Sequence, residues 1–176
     1  MSNSLDTRRL YIVMGVSGCG KSTIAAELAA YWDAQMLDGD NFHSSEAKAC
    51  MQKNKPLTDE QRLPWVERMG HYISQQADEQ IIVLAFSGLK RAHRDLFRRL
   101  DLDCHFIFLT GSYKLIAKRL DNRGDHFFSS ALLESQFDAL ELPDGNEVDV
   151  ATFNIDRPKK QLIDSITSHF TGVTHE

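Results

Sequence analysis

The sequence contains no apolar run of the about 18 residues that a membrane-crossing helix needs, so no span is expected. Its first residues, Met1-Ser2-Asn3-Ser4-Leu5-Asp6-Thr7-Arg8-Arg9, offer no hydrophobic stretch and no small-residue cleavage site, and no signal peptide is expected. Cysteine is scarce and odd in number. Cys19, Cys50 and Cys104 share no metal-ligand spacing and read as reduced thiols of a cytoplasmic protein. A basic surplus is missing as well, and the net charge of −5 disfavours a general nucleic-acid binder. Repeats, low-complexity tracts and Pro/Gly-rich linkers are absent. What is present is ordinary for a globular chain: 176 residues, 42% hydrophobic and 26% charged, enough for one domain over 1–176 with a substantial core.

Apolar patterning alternates between strand and helix. Residues 10–16 form a short apolar run rich in β-formers, and 21–32 place Ile24, Ala25, Leu28, Ala29 and Trp32 on one helical face. A weak strand at 34–37 ends in Asp38-Gly39-Asp40, and 41–57 reads as a polar region. Thr58 with Gln61 has the form of a capping box. Behind it Val66, Met69, Tyr72 and Ile73 make a helical stripe, with Pro64 placed to kink or divide the helix. The continuous apolar runs 81–86 and 104–109 read as buried parallel strands. Helices are expected at 90–100, at 113–123 with Gly124 as its cap, at 130–140 and at 158–170, with a last strand at 150–155. Such alternation predicts a parallel α/β sheet, whose ligands bind at the carboxyl ends of the strands.

At the first such end stands Gly15-Val16-Ser17-Gly18-Cys19-Gly20-Lys21-Ser22, a full match to G-x-x-x-x-G-K-S/T. The glycines let backbone N–H groups turn inward around phosphate oxygens. Lys21 suits the β/γ-phosphates of ATP, Ser22 suits Mg²⁺, and the following helix, with Thr23 in its first turn, points its positive end at the same anion. Cys19 occupies a variable position and reads as filler rather than a redox switch.

A phosphate loop alone does not separate kinases from GTPases and motor ATPases. Many such proteins end a buried strand in a metal-holding Asp. Here the strand at 81–86 ends in Ser87-Gly88-Leu89-Lys90 instead. Asp38 and Asp40, two residues apart on an extended segment, point the same way. One is placed to hold Mg²⁺ and the other to accept a proton from an attacking hydroxyl, with the assignment between them open. Lys90 and Arg94 are i,i+4 neighbours just past a strand end and read as a receptor for a carboxylate or phosphate. Arg98 and Arg99 read as a solvated face. Arg119 and Arg123, also i,i+4, lead into a segment suited to close over ATP as a lid.

Together the segments resemble the bacterial gluconokinase family. The resemblance runs from about residue 10 to 155 and rests on the phosphate loop, Leu37-Asp38-Gly39-Asp40 with Phe42-His43, and Pro56-Leu57-Thr58-Asp59-Glu60-Gln61-Arg62-Leu63-Pro64-Trp65. Ser87–Arg91 with Arg94-Asp95, His126-Phe127 and Ser135-Gln136-Phe137 add to it. It implies a three-layer, nucleoside-monophosphate-kinase-like fold with a five-stranded parallel sheet, a helical substrate-binding insertion at about 41–78 and a lid at about 123–140. It also implies transfer of phosphate from ATP to D-gluconate with Mg²⁺, and a homodimer without nucleic-acid or membrane partners. By the same resemblance 15–23 with Arg119 and Arg123 form the ATP site, and Lys21, Asp38, Asp40 and Arg123 serve catalysis. Asp40, His43, Arg62, Lys90, Arg94 and His126 surround the acceptor. Ser44-Ser45-Glu46-Ala47, Gly88 and His93 depart from the family pattern beside the acceptor pocket and leave the preferred acid open. Shikimate kinase and other small-molecule P-loop kinases are the alternatives, together with a nucleotide-binding regulator that has lost catalysis.

Overall fold

The computed structural model describes residues 7–53, 55–76, 78–122 and 130–171. Five strands alternate with helices: β1 (Arg9–Met14), α1 (Lys21–Trp32), β2 (Gln35–Asp38), α2 (Ser45–Gln52), α3 (Asp59–Gln75), β3 (Ile81–Ala85), α4 (Arg91–Arg98), β4 (Asp103–Thr110), α5 (Tyr113–Asn122), α6 (Ser130–Ala139), β5 (Val150–Asn154) and α7 (Lys159–Thr171). All strand pairs are parallel, in the order β2-β3-β1-β4-β5. β1 is therefore central, and the loop that follows it emerges in the middle of the sheet's carboxyl edge.

The two faces of the sheet are sorted by strand alternation. Leu10, Ile12 and Met14 join Leu84, Phe86, Phe106 and Phe108 in one core with Trp65, Met69 and Ile73 of α3 and Phe97 of α4. Tyr11 and Val13 join Val83, Ile107 and Leu109 in the other, against Ile24 and Leu28 of α1 and Ile166 and Phe170 of α7. Each such fully buried apolar side chain contributes about 1.5–3 kcal/mol relative to an exposed one. The sheet, covered on both sides, explains the unbroken apolar runs of β3 and β4.

The polar region 41–57 contains a helix, within the expected helical insertion: Ser44 Oγ accepts the Ala47 N–H at 3.1 Å and caps α2, and a 3₁₀ turn at Gly39–Phe42 precedes it. Two expectations are corrected. Pro64 does not divide α3, which runs unbroken for 17 residues from a capping box in which Thr58 and Gln61 bond reciprocally at 2.9 and 3.2 Å. Pro64 lies in the helix's second turn, where its missing N–H deprives only the exposed Glu60 carbonyl of an i+4 donor. Tyr72 leaves the buried stripe and is half-exposed, its ring edge on Phe42, and Trp65 takes its place in the core. The expected cap at Gly124 and the first part of the lid lie outside the described residues.

Candidate active site

Three strand ends build one cleft. At the end of β1, Gly15 and Gly20 adopt φ values of +146° and +98°, in which other residues are strained. A Cβ on Gly15 would stand 2.7 Å from the Leu109 carbonyl oxygen, so the loop can lie this close to β4 only as glycine. Lys21 donates from Nζ to the Val16 carbonyl at 3.0 Å. Ser17, Gly18, Gly20, Lys21, Ser22 and Thr23 line the cleft, whereas the side chains of Val16 and Cys19 are buried beneath it.

β2 delivers the acids. Ser22 Oγ donates to Asp38 Oδ2 at 2.7 Å, and Asp38 Oδ1 accepts the Asp40 backbone N–H at 2.9 Å. Asp38 thus lies against the phosphate loop, and Asp40, one turn further on, opens to the cleft with a side chain 83% exposed. Water reaches Asp40, but it sits between protein walls. That surrounding protein first, and the Asp38 charge second, push its pKa above the usual carboxylate value against the pull of Lys21 and Lys48. Buried beneath this turn, Trp65 Nε1 donates to the Gly39 carbonyl at 2.7 Å. A Cβ on Gly39 would meet the Ala85 carbonyl oxygen at 2.8 Å, so the turn is pressed directly onto β3.

The same indole carries His43, whose ring stacks on Trp65 at 4.1 Å with its Nε2 3.7 Å from Asp40 Oδ1. His43 is 4% exposed, and burial, then Arg68, Lys48 and Arg62, lower its pKa to about 4. It is neutral at ordinary pH. Arg62, tethered to Asp59 at 3.3 Å, completes the wall with Lys48 of α2. The cleft, about 510 Å³, holds the phosphate loop, Asp38, Asp40, His43 and Arg62 around one space, with Ser135 and Gln136 of α6 on its rim.

Arg94 is corrected from a substrate ligand to a support. Its side chain is 1% exposed, and it donates from Nε and Nη2 to Glu147 at 2.8 Å each and from Nη1 to the Gly88 carbonyl at 2.8 Å. The inward face of α4 makes it a strut beneath the loop after β3, whose Ser87 and Leu89 line the cleft. Arg98 is not solvated either. It bonds Asp95, Glu147 and Asp149 at 2.7–2.9 Å and lies over the Phe106 ring. Lys90 stands outside the cleft wall, drawn 3.7 Å from Glu141, whose other oxygen accepts the Arg91 N–H at 3.0 Å. Arg119 is turned to the Ile155 carbonyl, at 2.9 Å. Arg123 and His126 lie outside the described residues.

The donors present fit a hard cation. A serine hydroxyl and a carboxylate oxygen meet at 2.7 Å beside the phosphate loop, the oxygen set that Mg²⁺ takes with phosphate and water. Among the described residues no group of three or more His, Cys, Asp or Glu converges on a metal position, so the remaining ligands would come from phosphate and water. Sequence reasoning missed Lys48, Trp65 and Gln136 as parts of the site. Ser44 followed by helix formers was the available signal for α2, and hence for Lys48.

The AAA domain family matches residues 10–143. The thermoresistant gluconokinase of Escherichia coli K12 is 35% identical over 166 residues, covering 94% of this chain and 95% of its own length. The thermosensitive gluconokinase of the same organism is 40% identical over 147 residues, covering 82% and 78%. A gluconokinase from Sinorhizobium meliloti 1021 superimposes with a TM-score of 0.82 at 30% identity, covering 96% of this chain and 99% of that one. Shikimate kinase from Aquifex aeolicus, at 13% identity and a TM-score of 0.62, shares the fold alone. With a phosphate loop, a paired-acid turn and a helical wall meeting in one cleft, and relatives aligned along nearly its whole length, the chain belongs to the gluconokinase family of P-loop kinases.

Proposed function

We propose that this protein transfers the γ-phosphoryl of ATP to the primary hydroxyl of D-gluconate, giving ADP and 6-phospho-D-gluconate, in sugar-acid catabolism. The observation that carries the reading is the single cleft in which the phosphate loop faces Asp40, neutral His43 and two cations, Lys48 and Arg62. That set suits an acceptor bearing several hydroxyls and one carboxylate: cations for the carboxylate, an uncharged imidazole for hydroxyls.

The two acids divide the work. Asp38, bonded to Ser22, belongs to the metal side. Mg²⁺, when bound there, neutralises phosphate charge. Asp40 takes the proton of the attacking hydroxyl, and its raised pKa makes it a better acceptor than an ordinary surface aspartate. Lys21 exchanges the Val16 carbonyl for phosphate oxygens and stabilises the transferring group. The helices between β2 and β3, within about 41–78, form the acceptor wall. In this reading 123–140 serves as the lid, Arg119 of α5 and Arg123 contact ATP, and His126 contacts the acceptor.

The test is ADP release with Mg·ATP across D-gluconate, related sugar acids, shikimate and nucleoside monophosphates. Selective turnover of gluconate supports the reading. Preferred turnover of a different acid would move the assignment to that acid and point to α2, where the family pattern is broken.

A further inference from the structure

α6 is hydrogen-bonded to the phosphate loop through Gln136. Gln136 Oε1 accepts the Ser17 N–H at 2.7 Å. An N–H can only donate, so the carboxamide is oriented by this bond: oxygen on Ser17, NH₂ turned away. The Ser17 N–H and the Val16 carbonyl are opposite edges of one planar trans peptide. Lys21 and the Cys19 N–H hold the carbonyl edge at 3.0 and 3.3 Å, and Gln136 holds the other. Gln136 is itself on a seated helix, because Leu132 and Leu133 of α6 are buried, Leu133 in the same core as Ile116 and Leu120 of α5.

These anchors differ in what the reaction asks of them. Lys21 must turn N–H donors toward the β/γ-phosphates, which loosens its hold on the Val16 carbonyl. The Cys19 N–H then still holds the carbonyl, but it belongs to the loop itself, and the hydrogen bond from Gln136 is what ties this peptide to α6. We propose that Gln136 is a positioning residue for phosphoryl transfer, holding the Val16–Ser17 peptide in place while Lys21 changes partners. A loop that must present its N–H groups to phosphate within a fraction of an ångström gains from an anchor independent of the nucleotide, since a misplacement of about 1 Å costs on the order of 100-fold in rate. This inference rests on the kinase reading.

The experiment compares Gln136→Met, which keeps the length but removes the amide acceptor, with Gln136→Glu, which keeps an oxygen acceptor. At saturating Mg·ATP and gluconate, Gln136→Met is expected to lose about 10-fold or more in kcat with an unchanged melting temperature. Gln136→Glu is expected to recover most of that loss, its added negative charge beside the phosphates appearing in KM for ATP. In the free protein, hydrogen exchange at the Ser17 amide should be slow in wild type and Gln136→Glu and fast in Gln136→Met. Wild-type kcat in Gln136→Met, or a Gln136→Glu variant as impaired as Gln136→Met, overturns the proposal. An unprotected Ser17 amide in the wild type does so without any substrate. Inactivity of the wild type on gluconate would instead count against the function reading, and the exchange comparison would still decide the clamp.

Discussion

Asp38 and Asp40 are separated by one glycine, yet their surroundings give them different chemistry. Asp38 accepts from Ser22 and from the Asp40 backbone, whereas the Asp40 carboxylate opens to the cleft. Replacing Asp40 with Asn should lower kcat by about 100-fold or more while leaving ATP affinity within a few-fold, measured by steady-state kinetics and nucleotide titration. An unchanged kcat would remove Asp40 as the base. His43 carries a stability consequence. Its pKa falls from 6.5 to about 4 on folding, so the unfolded chain takes up the proton first as pH drops. The stabilisation is full above pH 6.5 and is lost as pH falls toward 4. Urea unfolding across that window should show the decline in wild type and a smaller one in His43→Gln. The sequence singled out both acids, because a strand end beside a phosphate loop is a local pattern, and the family resemblance added His43. It left the roles of the acids open because the Ser22–Asp38 bond joins residues 16 positions apart.

At the scale of elements, the Arg94–Glu147 pair explains how α4 and the segment before β5 support the loop after β3. Helical spacing puts Lys90 and Arg94 on one face, but it does not say whether that face looks toward solvent, ligand or core. The answer comes from Glu147, 53 residues away, which no local pattern reveals. Burial raises the Glu147 pKa, but the bonds from Arg94 and Arg98 outweigh it and bring the value down from 4.5 to about 2. Removing one partner of a pair this buried leaves an uncompensated charge and costs about 3–5 kcal/mol. Arg94→Met should therefore unfold at markedly lower urea and raise KM for the acceptor, because Gly88 loses its tether. Arg94→Met with Glu147→Gln should recover much of the stability, and a double variant no better than the single would argue against the pairing as the cause. The bounds of α2 within the helical insertion were hard to read for another reason: it is short and polar, and its Ser44 cap is what marks it.

For the whole molecule, the strand order was predictable in kind but not in detail. Alternating strands and helices dictate a parallel sheet, while the placement of β1 between β3 and β4 depends on long-range pairing. That placement brings the ends of β1, β2 and β3 to one cleft, so occupancy should be felt globally. Mg·ATP at a hundredfold excess over its dissociation constant should stabilise the fold by about 2.7 kcal/mol. Lys21→Ala should keep the unliganded melting temperature and lose both this shift and turnover, checked by thermal melts with and without nucleotide. Within the protein Lys21 bonds the Val16 carbonyl and Ser22 bonds Asp38. For these two groups nucleotide binding is an exchange of partners, and only the difference between old and new bonds counts toward affinity. When the product departs, Lys21 and Ser22 each have a partner within the protein to return to, so the site resets with its own residues.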